Sequence, residues 1–130
     1  MGRQADLEQT LQKTKQIVSM VIQGPESWTG TVTNYFPGRE PVVSQYGVFD
    51  LAEDLGMWCA HVAPDLYRAG LVSDHVAQCL VEMGTIAEGN EGAEFDSLDG
   101  YYTHPLWKRI RELARDVADE LCIDVDPNVA

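Results

Sequence analysis

Between residues 104 and 122 the apolar residues Leu106, Ile110, Leu113, Val117 and Leu121 recur in steps of four and three. That spacing puts them on one stripe of an α-helix and scatters them over both faces of a strand. Thr103 offers an N-cap, and Pro105 falls in the first turn, where a missing N–H is tolerated. Three more segments show helical spacing, each bounded by a stop signal. Over 4–22 the stripe is Leu7, Leu11, Thr14, Val18 and Val21, ended by Gly24-Pro25. Over 47–62 the face is broader: Val48, Leu51, Ala52, Leu55, Trp58, Cys59 and Val62. Pro64 is expected to close that helix and open a short turn, 65–69, that Gly70 stops. Ser73 is the expected N-cap of a helix over about 74–87, with Val76, Leu80, Met83 and Ile86 or Ala87 inward.

The fold class is therefore mainly α, a compact single domain over residues 1–130 with about four helices. Residues 26–46 break the pattern with Thr29, Thr31, Val32, Thr33, Tyr35 and Phe36, which favour strand. A short hairpin of 29–35 against 41–46, or an irregular insertion, is expected there. The narrow stripe of the first helix suits pairing with one other helix, inside the chain or across a dimer seam. Residues 84–100 read as a long acidic, glycine-rich loop anchored by Phe95 and Leu98, and the tail 123–130 is expected to fray.

Charge is unevenly distributed. Residues 1–46 hold four acids and four bases, whereas 47–107 hold eleven acids and a single base, Arg68. Most of the formal net charge of −12 thus belongs to the middle of the chain. Such a surface repels phosphate, so direct nucleic-acid or anionic-membrane binding is disfavoured and a basic protein partner is favoured. The acids expected to meet it are Asp50, Glu53, Asp54, Glu88, Glu91, Glu94, Asp96 and Asp99, with Tyr102 as an aromatic anchor. Tyr101 and Trp107 also flank the loop, Trp28, Tyr35 and Phe36 crowd the turn region, Tyr35 is a second surface anchor, and Trp58 is assigned to the core.

In the last helix, Lys108, Arg109 and Arg111 sit near the N-terminus and Asp116, Asp119 and Glu120 near the C-terminus. This opposes the helix dipole at about 0.3–1 kcal/mol per charge. One expectation is that the acidic loop compensates by folding onto Lys108, Arg111 and Arg115, in the same chain or in a second copy as a homo-oligomer. The alternative is local pairing, Lys108 with Glu112 and Arg115 with Asp119.

Chemistry-bearing motifs are sparse. No G-x-S-x-G, P-loop, C-x-x-C or H-E-x-x-H occurs. His75, Cys79 and Glu82 share a helix face at i, i+4, i+7 and form a candidate metal set, whereas Cys59 and His61 lie two apart and diverge. Three widely spaced cysteines suit buried free thiols in a reducing compartment. No secretory signal pattern opens the chain, Asp6 stands where myristoylation prefers Ser or Thr, and cytoplasmic residence is expected.

Gly47-Val48-Phe49-Asp50-Leu51-Ala52, followed by Trp58-Cys59, resembles the G-L-Y-D-M-x-G-N-V-W-E-W stretch of formylglycine-generating-type domains. Glu53-Asp54 replaces that family's Gly-Asn, and no site residue carries over. The expectation is a non-catalytic acidic binding protein without a cofactor, of the inhibitor, immunity or phage or plasmid counter-defence kind. The alternatives are an assembly subunit, and a small metal protein or enzyme built on His61, His75 and Cys79.

Overall fold

The computed structural model describes residues 2–25, 30–34, 37–90, 92 and 94–123. Helix α1 spans Gly2–Gln23, and strands β1 (Gly30–Asn34) and β2 (Val42–Tyr46) follow. The strands pair antiparallel, from Gly30 opposite Tyr46 to Asn34 opposite Val42. A continuous rod comes next: α2 (Val48–Asp54), a π-helical turn (Leu55–Cys59) and α3 (Ala60–Arg68). Then come α4 (Asp74–Gly89), a one-and-a-half-turn α5 (Leu98–Thr103) and α6 (Pro105–Leu121). The chain is mainly helical, and no helix among the described residues is long and apolar enough to cross a membrane.

Helix α4 is the central element, packed against the π turn, α3 and α6, while α6 also covers α1. Helices α4 and α6 run antiparallel: Arg109 meets Glu82, Asp116 faces His75, and Glu120 meets Ser73. The core contains Val18 and Val21 of α1, Leu51, Leu55, Cys59, Ala63 and Leu66 of the rod, Val76, Leu80 and Met83 of α4, and Ile110, Leu113 and Val117 of α6.

The rod departs from the sequence reading at Pro64, which lies inside α3 and does not close the preceding helix. Pro64 is exposed, so the backbone hydrogen bond it forfeits is on the solvent side, and buried Ala63 and Leu66 carry the apolar face on. Gly70, at φ +75°, is the true stop: its N–H donates to the Tyr67 carbonyl and that of Leu71 to the Leu66 carbonyl, each at 3.0 Å. The π turn shifts the register by widening the turn, so Cys59 and Ala63 point fully inward and Trp58 and Val62 only partly.

Two glycines allow the close crossing of the rod and α4. A Cβ at Gly84 would stand 2.4 Å from the Ala60 Cβ and 2.6 Å from the Leu55 carbonyl oxygen. A Cβ at Gly56 would stand 2.4 Å from the Glu88 Cγ. Gly84 is therefore a helix-packing residue rather than the first residue of a loop, and α4 continues to Gly89. The acidic connection shortens accordingly, and its second half folds into α5, capped by Ser97, whose Oγ accepts from the Gly100 N–H at 2.9 Å.

The connection is held by an aromatic cluster. Phe95 stacks on Trp107 at 4.9 Å between centroids, and the indole N–H of Trp107 donates to the Phe95 carbonyl at 2.7 Å. The Tyr101 hydroxyl donates to the Val21 carbonyl of α1. Trp107 and Tyr101 are thus buried, since each polar tip finds a backbone acceptor inside the protein. Phe95 is the anchor that its position suggests, whereas Leu98 is 54% exposed and anchors nothing. The cap of α6 is His104 rather than Thr103, its Nδ1 accepting from the Leu106 N–H at 3.1 Å.

Candidate docking site

The middle acids divide over two hollows. On the rod, Phe49, Glu53 and Met57 follow one another at steps of four and face α4 and the connection. Together with Ala52, Ala87, Glu88 and Asp96 they line a hollow of about 220 Å³. Its apolar walls are open to solvent: Phe49 is 47% exposed and Met57 70%. Val48, Leu51, Ala52, Leu55 and Cys59 fill the buried face of this part of the rod, which leaves Phe49 and Met57 outside it.

Asp96 sits at one side of this hollow. Its Oδ2 accepts from the Gly92 N–H at 3.0 Å, and its own N–H donates to the Gly92 carbonyl at 2.9 Å. These bonds close the loop on itself and fix the carboxylate. The other oxygen, Oδ1, is buried and has no hydrogen-bond partner among the described residues. Leaving a buried carboxylate oxygen unbonded is costly, which marks Asp96 as a locally unfavourable position in the fold. The stem of exposed Glu88 lies on Gly56, on the same hollow as Glu53. None of Glu53, Glu88 and Asp96 has an ion-pair partner among the described residues. Arg68, the single base of this region, is engaged by Asp65 at 2.7 Å.

Glu94 and Asp99 line a separate, shallower hollow of about 530 Å³ with Ser97, Gly100, Thr103, His104 and Pro105. Asp50 has a local role, its Oδ2 accepting from the Gly47 N–H at 2.7 Å at the start of α2. Asp54 is half-buried. Tyr102 is 54% exposed and packs edge-on against Tyr101. Glu91 and the second expected anchor, Tyr35, lie outside the described residues.

The basic cluster of α6 does not receive the loop acids among the described residues. Arg111 donates to the Tyr101 carbonyl and lies over the Tyr101 ring, 4.7 Å from its centroid. Arg109 pairs with Glu82 at 2.9 Å and with Glu112 at 3.6 Å, so the local partner of Glu112 is Arg109 and not Lys108. Lys108 and Arg115 are exposed.

Of the candidate metal residues, Cys59 is fully buried, and burial pushes its thiol up to about 12, with Asp54 adding to the shift and Lys13 opposing it. His61 points to solvent. His75 and Cys79 do approach each other, Nε2 to Sγ at 3.7 Å. Glu82 turns to Arg109 instead, and Asp116 of α6 takes its place, with Oδ2 3.8 Å from His75 Nε2. Asp116 was invisible to a reading confined to one helix. The antiparallel match of the apolar faces of α4 and α6 is the signal that would have found it.

No family model, curated protein or solved structure matches this chain.

Proposed function

We propose that this chain is a non-catalytic acidic binding protein that docks on a basic protein surface by seating a lysine or arginine in the hollow of Phe49, Glu53, Met57, Glu88 and Asp96. The observation that carries this reading is the hollow in which Glu53, Glu88 and Asp96, none with an ion-pair partner among the described residues, stand beside exposed Phe49 and Met57. A long cationic side chain matches such a site in both its parts. Its aliphatic stem lies on Phe49 and Met57, and its charged head reaches the carboxylates in charge-assisted hydrogen bonds. The surrounding negative field speeds the encounter and makes it salt-sensitive. A protein of this kind acts as an inhibitor or counter-defence factor by occupying a basic surface that otherwise takes nucleic acid.

The test is an NMR titration with a short arginine- and lysine-containing peptide, on the wild type and on two variants of equal charge. Glu53→Gln/Asp96→Asn strips the hollow; Glu94→Gln/Asp99→Asn removes the same charge elsewhere. Saturable shifts at residues 49–57, 88 and 96 that vanish only in the first variant are expected. Equal weakening in both variants would reduce the interaction to general acidity and overturn the assignment.

A further inference from the structure

We infer that His75, Cys79 and Asp116 form a binding site for a borderline-soft divalent cation of the zinc type, joining α4 to α6. The three side chains bring one nitrogen, one sulfur and one oxygen ligand atom within 4.8 Å of one another. Two of the separations, 3.7 Å from Cys79 Sγ to His75 Nε2 and 3.8 Å from that nitrogen to Asp116 Oδ2, are close to the edges of a tetrahedral site. With zinc bonds of about 2.0–2.3 Å, those edges are roughly 3.3–3.8 Å. The third edge needs a contraction that a side-chain rotation of exposed Asp116 supplies.

The site's construction favours a cation over an accidental meeting of side chains. His75 and Cys79 are one turn apart on the same helix, a rigid chelating pair. Asp116 comes from the facing helix, whose position is set by the buried core of Ile110, Leu113 and Val117. Cys79 forms the floor at 4% exposure, while His75 and Asp116 stand exposed at the mouth, so an ion enters from solvent and finds the soft ligand inside. Three protein ligands leave a fourth position for water or for Glu120, one turn beyond Asp116 on α6 and held near by the Ser73 hydroxyl at 3.2 Å.

The electrostatics agree. Burial, and then Asp116, Glu82 and Glu120, raise the Cys79 thiol. The neighbouring carboxylates that discourage a bare thiolate there attract a dication, whose binding forms the metal–sulfur bond as the thiol proton leaves to solvent. The docking hollow does not bear on this site, because Cys79 is nine residues, or about two and a half helical turns, from Glu88 and so on the opposite side of α4.

The experiment uses the full chain carrying Cys122→Ser, which removes the exposed thiol and leaves Cys59 and Cys79, and titrates it with cobalt(II). Expected are a thiolate-to-cobalt charge-transfer band and tetrahedral-intensity visible bands that saturate at one ion per chain and are displaced by zinc. Cys79→Ser abolishes the charge-transfer band. His75→Gln and Asp116→Asn change exposed side chains, leave the fold intact and weaken binding by about tenfold or more, since even outer partners of metal ligands cost that much. Absence of a thiolate band in the Cys122→Ser protein, its survival in Cys79→Ser, or indifference to His75→Gln and Asp116→Asn would overturn the site.

Discussion

Gly84→Ala puts two general rules in opposition. Intrinsic helix propensity favours alanine over glycine inside α4 by about 1 kcal/mol. The crossing with the rod argues the other way. The added Cβ would lie 2.4 Å from the Ala60 Cβ and 2.6 Å from the Leu55 oxygen. Ordinary carbon contacts begin near 3.5 Å, so the two helices must part by about 1 Å. Neither obstacle is the end of a flexible side chain: one is a Cβ and the other is backbone of the π turn. Overpacking of this kind costs about 1–3 kcal/mol, and after the propensity gain the net loss is about 0–2 kcal/mol. Gly56→Ala meets only the Glu88 stem, which can swing aside, and loses less. Gly89→Ala has nothing within 4 Å and gains a few tenths to about 1 kcal/mol. Urea unfolding followed by tryptophan fluorescence ranks the three at unchanged slope. A Gly84→Ala protein stabilised by the full propensity gain of about 1 kcal/mol would refute the close crossing.

Four further outcomes follow from the geometry. Trp107→Phe leaves the buried Phe95 carbonyl without its donor and should cost about 1–3 kcal/mol in the same assay. The Cys59 thiol, raised to about 12, binds its proton more tightly folded than unfolded. That stability is complete below the unfolded value near 9 and is lost as pH rises toward 12, at about 1 kcal/mol per pH unit, and Cys59→Ala should flatten the alkaline slope. Glu82→Gln breaks the exposed pair with Arg109 and should leave the urea midpoint unmoved. Glu120→Lys should lower it, although the dipole of α6 alone favours a cation there; a rise would show that α4 exerts no influence on that residue.

The long helices could be read from the sequence because their signals are local. Gly24-Pro25, Gly70 and the Ser73 cap each act within a turn, and the stripes of α1, α4 and α6 are set by the 3.6-residue period. What could not be read depends on a partner distant in the chain. Pro64 looks like a stop until its exposure shows that the lost hydrogen bond is on the water side. Gly84 looks like the start of a loop until α4 is seen crossing the π turn. Trp107 and Tyr101 resemble surface aromatics until the Phe95 and Val21 carbonyls are placed beside them. The candidate sites follow the same division. The acidity of Glu53, Glu88 and Asp96 is plain in the sequence, but their separation from Glu94 and Asp99 into different hollows is a matter of helix packing.

The inverted charges of α6 show how such a nonlocal fact changes an energetic argument. Taken alone, a helix with Lys108, Arg109 and Arg111 at its start and Asp116, Asp119 and Glu120 at its end opposes its own dipole. In the fold, α6 lies antiparallel to α4, so the start of one is beside the end of the other. Glu120 accepts from the Ser73 hydroxyl, the N-cap of α4, where that helix presents its positive end. Arg109 reaches Glu82 near the middle of α4, too far from its end for that helix's dipole to matter. Glu120, misplaced for α6, is therefore well placed for α4. The loop's described carboxylates remain uncommitted to the basic cluster. Glu53, Glu88 and Asp96 thus pair with no arginine or lysine among the described residues, and Asp96 instead holds its own loop through the Gly92 N–H.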